Sequence, residues 1–161
     1  MRIIKTSDGH EHLVSSTEFL EAVLDSVPAF VFWKDLNSVY LGCNQKYAHA
    51  VGLDHPSEIV GLTDQDLWPN HTEVDAFRPD DRKVMESGNP RYRYREQLTN
   101  KEGHMSWIET TKVPLRDAEG ETFGVLGMYI DVTDKVDRCE KNMIDAAILS
   151  CELKKKLVNH S

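Results

Sequence analysis

Glu119–Asp134 reads EGETFGVLGMYIDVTD. A polar turn, Asp117-Ala118-Glu119-Gly120, leads into the apolar and small residues Phe123 to Ile130, and Asp131-Val132-Thr133-Asp134 stops them. A run rich in β-branched and aromatic types behind a Gly turn predicts a buried strand. Gly124 and Gly127 inside it predict close approach of another backbone or of a ligand. Beyond Asp134 the pattern turns helical and charged. The stretch therefore reads as the last strand of a core, followed by an exit helix.

The rest of the chain builds toward that strand. Met1 to Val14 is polar without a period and reads as a solvated, flexible start. His10-Glu11-His12 has metal-ligating types, but no third ligand lies nearby in sequence. Ser16 to Ser26 predicts a short helix capped by Ser16 or Thr17. Phe19, Leu20, Val23, Leu24 and Val27 form its apolar stripe, for packing on the domain or on a second copy, and Pro28 ends it. Ala29 to Lys34 and Ser38 to Cys43 read as a hairpin around Asp35-Leu36-Asn37. Asn44 caps a helix over Gln45 to Val51, which Gly52 ends.

Pro56 to Val60 is a helical turn, and Asp64 to Trp68 another, closed by Pro69. A longer helix follows, with Pro79 in its first turn, Asp80 and Asp81 at its positive end and Gly88 past its close; Val84 and Met85 face inward. Arg91 to Thr99 alternates, with Tyr92, Tyr94 and Leu98 on one face, and predicts a half-buried strand. Asn100 to Gly103 is a hairpin turn. Met105 to Leu115 is the next strand, with Pro114 near its end.

Three motifs in this order resemble the PAS family of sensory domains. The first is Phe32 to Gly52, FWKDLNSVYLGCNQKYAHAVG, with Asp35, Asn44 and Tyr47 at the family's positions. The second is GLTDQDLWP, Gly61 to Pro69, similar to a GxTxxDxxP loop. The third is the closing DVT before a charged helix. The resemblance covers about Val27 to Asp134. It implies an α+β fold: a five-stranded antiparallel sheet covered on one face by short helices, with an N-terminal helix and a C-terminal signalling helix. The expected organisation is a flexible start over 1–15, a flanking helix over 16–27, the PAS domain over 28–134 and a linker helix over 135–161.

Composition narrows the function. A net charge of −8 argues against a binder of nucleic-acid backbones, which needs a basic surface. No apolar run approaches about 18 residues, so no segment is expected to span a membrane. Cys43, Cys139 and Cys151 are scattered and odd in number, which fits reduced thiols in a cytoplasm. No nucleophile–base pair or phosphate loop is visible, so the domain is not expected to be an enzyme. The acidic pairs Asp80-Asp81 and Asp64/Asp66 read as a helix N-terminus and a turn, both solvated.

The resemblance implies a cavity between the sheet and the helices. Strand alternation and the family pattern together nominate Phe32, Tyr47, Val51, Trp68, Phe77, Tyr94, Leu98, Ile108, Thr110, Val125 and Tyr129 as its lining. For any one of them, simple core filling is the commoner fate. The polar Glu96, Lys112 and Lys34 share the predicted face, and buried they must find partners. Glu96 and Lys112 could pair across the sheet, or flank a cavity and orient a polar ligand. The parity of Trp107 to Val113 leaves either face open.

The cofactor is undetermined: none, or a small organic ligand. The cysteine motif of light-oxygen-voltage domains is absent, since that loop reads TDQDLWP. Haem is disfavoured, because no histidine lies within Asp80 to Ser87, although His71 is near. A non-covalent flavin needs only shape and a few hydrogen bonds. The exit helix, Lys135 to Val158 capped by Thr133 or Asp134, carries the patches Val136, Met143, Ile144, Ala147, Ile148 and Cys151, then Leu149, Leu153 and Leu157. In such regulators it joins the sensor to an output module of the same parent, with a histidine kinase the first expectation. The expected function is a sensor that detects a small ligand and relays it through this helix. A homodimer is the expected assembly. The alternative is a dimerisation module with a filled core.

Overall fold

The computed structural model describes residues 2–5, 7–8, 10–68 and 74–158, without the side chains of 2, 4, 5, 11–14, 74–77, 157 and 158. Pro69 and His71, and the side chains of Glu11, His12 and Phe77, lie outside the described residues. Two compact units divide the chain. One is Met1–Tyr94 with Thr110–Ile130, the other Arg95–Glu109 with Asp131–Ser161.

In the first unit the start of the chain is not structureless. Strands β1 (Arg2–Lys5) and β2 (Glu11–Val14) pair antiparallel, with Ile3 opposite Leu13 and Ile4 opposite His12. Each strand has only four residues, too few to show a period in the sequence. Helix α1 (Ser16–Ser26) is capped by Ser15, one residue earlier than expected. Ser15 Oγ accepts from Glu18 N at 3.0 Å, and Ser15 N donates to Glu18 Oε2 at 2.6 Å. This reciprocal box satisfies two helix-end donors at once.

Strands β3 (Phe30–Asp35) and β4 (Tyr40–Cys43) form the expected hairpin, with β4 starting two residues later than expected. Asp35 is the cause: its Oδ1 accepts from Asn37 N at 2.8 Å and Val39 N at 3.0 Å, which holds those residues in the turn. Helix α2 (Gln45–Ala50) follows its cap Asn44. A 3-10 turn covers Pro56–Ile59, and helix α3 spans Asp64–Leu67.

Helix α4 (Val74–Ser87) starts five residues before Pro79, so Pro79 lies inside it and not in its first turn. Asp80 and Asp81 are therefore in the body of the helix, and the explanation from a helix N-terminus fails for both. Gly88 takes φ +65 past the last turn, and its N–H donates to Val84 O at 3.0 Å.

Strands β5 (Arg91–Thr99), β6 (Met105–Arg116) and β7 (Thr122–Asp131) complete an antiparallel sheet of order β4-β3-β7-β6-β5. The closing strand β7 is thus central. Both glycines in it are needed for close approach. A Cβ on Gly124 would lie 2.2 Å from the carbonyl oxygen of Lys34, and one on Gly127 2.3 Å from the Phe32 ring. The first obstacle is backbone on the paired strand and cannot swing away. Gly124→Ala is therefore expected to cost about 1–3 kcal/mol. Urea unfolding checks this, and an unchanged midpoint would contradict it.

The faces of the sheet alternate as the pleat requires. Phe32 and Lys34 point inward, while Trp33 points outward with Leu41, Leu115, Phe123 and Leu126. With Leu20 and Leu24 of α1, these outward residues line an apolar groove of 290 Å³. Phe19, Leu20 and Val23 remain exposed, so among the described residues α1 leaves part of its stripe uncovered.

In the second unit, Val132 N donates to Trp107 O at 2.8 Å and Trp107 N to Thr133 Oγ1 at 2.9 Å. The DVT motif is thereby tied to the start of β6. Helix α5 (Thr133–Val158) follows, with Val136 buried and Met143, Ile144, Ile148, Leu149 and Leu153 exposed.

Candidate functional site: a buried ionic chain on the inner sheet face

A chain of polar side chains runs through the interior of the first unit. Lys34 projects inward from β3 and is 1% exposed. Its Nζ lies 2.9 and 2.7 Å from the two carboxylate oxygens of Asp64 on α3, and 3.0 Å from Asp81 Oδ2 on α4. Three acceptor contacts use the three protons of an ammonium group. Asp64 is 2% exposed and Asp81 is fully buried. Lys112 of β6, 4% exposed, places its Nζ 2.8 Å from Asp81 Oδ1, an ion contact outside hydrogen-bonding angles. With both lysines protonated and both aspartates ionised, the four charges sum to zero.

The other end of the chain is phenolic. Tyr40 Oη donates to Asp64 Oδ1 at 2.7 Å and lies 2.6 Å from Tyr47 Oη. Because Tyr40 gives its single proton to Asp64, Tyr47 is the donor between the two hydroxyls. The order is Tyr47, Tyr40, Asp64, Lys34, Asp81, Lys112. Aromatic rings flank it. Phe32 sits 4.9 Å from Tyr47 and 5.8 Å from Tyr40, Tyr47 6.2 Å from Tyr129, and Phe30 stacks on Tyr129 at 4.6 Å. The Lys34 ammonium lies 4.8 Å from the Tyr40 ring centre and 5.2 Å from that of Phe32, within cation–π range.

Local sequence explains this placement. Asn44, 1% exposed, ties the start of α2 to β3. Its Oδ1 accepts from Tyr47 N at 3.0 Å and Val31 N at 3.1 Å. Its Nδ2 donates to Leu24 O at 3.1 Å and Ala29 O at 2.9 Å. On α3, Asp66 accepts from both the N–H and the hydroxyl of Thr63, at 2.8 and 2.9 Å. That caps the helix and leaves Asp64 to face the interior.

Burial pushes the hydroxyls of Tyr40 and Tyr47 well above the ordinary tyrosine range, and the Cys43 thiol up to about 12. The folded state thus keeps these protons at pH values where the unfolded chain has lost them. Stability is full below the unfolded-state values, about 8.5 for the thiol and about 10 for the phenols. It falls as pH rises from there toward the folded values. Urea midpoints are expected to hold to about pH 8.5 and then decline, more steeply above about pH 10. Tyr47→Phe should flatten the steeper part. A flat profile through pH 11 would contradict the expectation.

Of the nominated residues in the first unit, Phe32, Lys34, Tyr47, Val51, Trp68, Thr110, Lys112, Val125 and Tyr129 are buried and Tyr94 is half-buried. Val125 clusters with Val84 and Met85. Phe77 has its side chain outside the described residues. Leu98, Glu96 and Ile108 belong to the second unit, Ile108 buried and the other two half-buried. Lys112 faces inward, so the open parity of β6 resolves to the face carrying Ile108, Thr110 and Lys112. The alternation of β5 is imperfect at its start. Arg93 takes φ +50 and its N–H donates to Thr111 Oγ1 at 3.1 Å; Tyr92 is 65% exposed.

The residues that sequence reasoning missed are Asp64, Asp81 and Tyr40. Each acidic pair splits: Asp66 caps α3 and Asp80 meets Arg91 at 2.8 Å, while Asp64 and Asp81 are buried. One signal was available. Asp81 precedes the inward pair Val84 and Met85 by three and four residues, which puts it on their face. Two inward lysines required carboxylates somewhere.

Known proteins share this architecture. The VqmA receptor of Vibrio cholerae, in a complex with ligand and DNA, superposes with a TM-score of 0.65 at 30% identity, covering 76% of this chain and 53% of that one. The PAS domain of BvgS from Bordetella pertussis gives 0.62 at 20% identity, covering 81% and 97%. In sequence, the aerobic respiration control sensor protein ArcB of Escherichia coli K12 is 26% identical over 119 residues, 74% of this chain and 15% of that protein. The two-component sensor PprA of Pseudomonas aeruginosa is 24% identical over 119 residues, 72% of this chain and 12% of its own length. The chain thus spans a small part of the curated sensors that it matches. The PAS fold model itself matches residues 24–137, from the end of α1 through all five sheet strands to the first turn of α5, and the chain belongs to that family.

Proposed function

We propose that this domain is a sensor. A small ligand is held against the inner sheet face, and its presence passes through α5 to an output module of the same parent protein. The observation that carries the reading is the buried ionic chain from Tyr47 to Lys112 with its aromatic flank. Lysines and aspartates are rarely fully buried, and a core that needed only stability would do as well with apolar groups. Such a chain fits a site that reads polar groups on a ring-sized ligand. Two sensors are among the relatives by name, and VqmA is solved bound to DPO.

The signal route follows the chain. Strand β7 carries Val125 and Tyr129, and α5 starts two residues after its end. The exposed Met143, Ile144, Ile148, Leu149 and Leu153 fit pairing of α5 with a second copy. A histidine kinase is the expected output, by likeness to the sensors, in a cytoplasmic setting. The domain itself does no catalysis. Calorimetric titration with DPO tests the reading. Saturable heat that Lys112→Met abolishes supports it, while no heat with DPO counts against it.

A second reading rests on the outer groove lined by Leu20, Leu24, Trp33, Leu41, Leu115, Phe123 and Leu126. An apolar groove beside a helix that leaves its own stripe exposed fits a dimerisation module, the partner being a second copy. Sedimentation equilibrium separates this reading from a monomer.

A further inference from the structure

The start of β5 and the outward side of α4 play no part in the sensor reading. We propose that together they form a docking surface for a short acidic segment of another protein, with Tyr92 as its aromatic anchor.

Backbone strain is the first observation. Arg93 takes φ +50 inside a strand, a region that is unfavourable for a residue with a Cβ. Its N–H is held there by Thr111 Oγ1 at 3.1 Å. Arg91, Tyr92 and Arg93 are exposed in succession, where a regular pleat would turn Tyr92 the same way as the half-buried Tyr94. Breaks of this kind re-aim side chains, and strained residues persist mostly where a function uses them. Tyr92, 65% exposed, adds nothing to the core. Tyrosine and arginine are the residue types that concentrate in protein interfaces.

Charge then names the partner. The Arg91 guanidinium stacks 3.6 Å from the Tyr94 ring centre and meets Asp80 Oδ2 at 2.8 Å, which brings the start of β5 against α4. Lys83 follows Asp80 by three residues, on the same side of the helix. With Arg78 and Arg82 it lines a groove of 340 Å³, in which Glu86 is the one carboxylate. Arg78, Arg82 and Lys83 meet no carboxylate at ion-pair distance among the described residues. The two aspartates of that stretch of α4 are turned away, Asp80 to Arg91 and Asp81 into the interior. Guanidinium groups suit the paired oxygens of a carboxylate. The whole chain carries −8, so a long polyanion such as a nucleic acid is repelled by the rest of the surface. A short acidic segment feels this patch alone, because exposed charges beyond about 8 Å are largely screened at physiological salt.

The test titrates a fluorescein-labelled Glu-Glu-Phe-Glu-Glu peptide into the full chain by anisotropy, with amide shifts located by NMR. Binding is expected to shift residues 78–83 and 91–93 and to weaken as salt is added. Arg78→Glu combined with Arg82→Glu should weaken it at least about tenfold, and Tyr92→Ser at least about threefold. All three positions are exposed, so urea midpoints are expected to stay unchanged. Where a variant does lose stability, the salt series and a Lys-Lys-Phe-Lys-Lys peptide on the unaltered chain still decide. The proposal is overturned if the lysine peptide binds as tightly, if the shifts lie elsewhere, or if both variants bind like the unaltered chain. No binding up to about 1 mM of the acidic peptide overturns it too, as does tighter binding of a thymidine pentanucleotide at the same residues.

Discussion

Lys34→Met is expected to destabilise the first unit by about 3–5 kcal/mol, the largest loss from any single substitution in the domain. Methionine replaces the stem of the side chain well. What goes is the ammonium group at 2.7 to 3.0 Å from Asp64 and Asp81. Two buried carboxylates then face each other with only Lys112 and the Tyr40 hydroxyl as partners. The loss is therefore mostly the penalty of stranded charge, and a control exposes this. In Lys34→Met combined with Asp64→Leu, one of the stranded carboxylates is also gone. The double variant should be less destabilised than the sum of the singles. Urea unfolding at pH 7 measures all three. A loss below about 1 kcal/mol for Lys34→Met would place the pair in the range of exposed ion pairs and contradict the account.

Asn44→Ala is the second large effect, with an expected loss of about 3 kcal/mol. A helix cap alone is worth about 1 kcal/mol. Asn44 does more, because its amide also serves Val31 N, Leu24 O and Ala29 O. Alanine leaves these buried groups without partners, at about 1–3 kcal/mol for each one that water cannot reach. Asn44→Asp is the informative comparison. It keeps the two acceptor bonds and loses the two donor bonds, so it should fall between wild type and Asn44→Ala. If both variants lost only about 1 kcal/mol, Asn44 would be a cap and nothing more.

Much of the fold was legible because its signals are local. Asn44 announced the start of α2, Arg91 to Thr99 gave the extent of β5 though its alternation fails at Tyr92, and the two glycines of β7 marked close approaches that the structure shows. The run Phe123 to Ile130 is apolar on both faces because Val125 and Tyr129 fill the interior while Leu126, of the opposite parity, lines the outer groove. What stayed hidden depends on distant partners. Asp64 and Asp81 look like surface acids in their own segments. Only Lys34, 30 and 47 residues away, makes them interior. Pro79 misled in a simpler way. A proline near an acidic pair resembles a helix start, yet one proline inside a 14-residue helix removes a single backbone donor and was tolerated. The split of each acidic pair is likewise a matter of helix phase.

On the sensor reading proposed above, the inner face would hold a small ligand beside the chain that ends at Lys112. The most direct measurement is a crystal structure of the protein grown with DPO. The expected result is DPO on the inner sheet face, with an acceptor within hydrogen-bond reach of Lys112 Nζ and a ring of Phe32, Tyr47 or Tyr129 against it. A structure with DPO only in the outer groove, or with the ionic chain unaltered and no ligand beside it, would contradict the account.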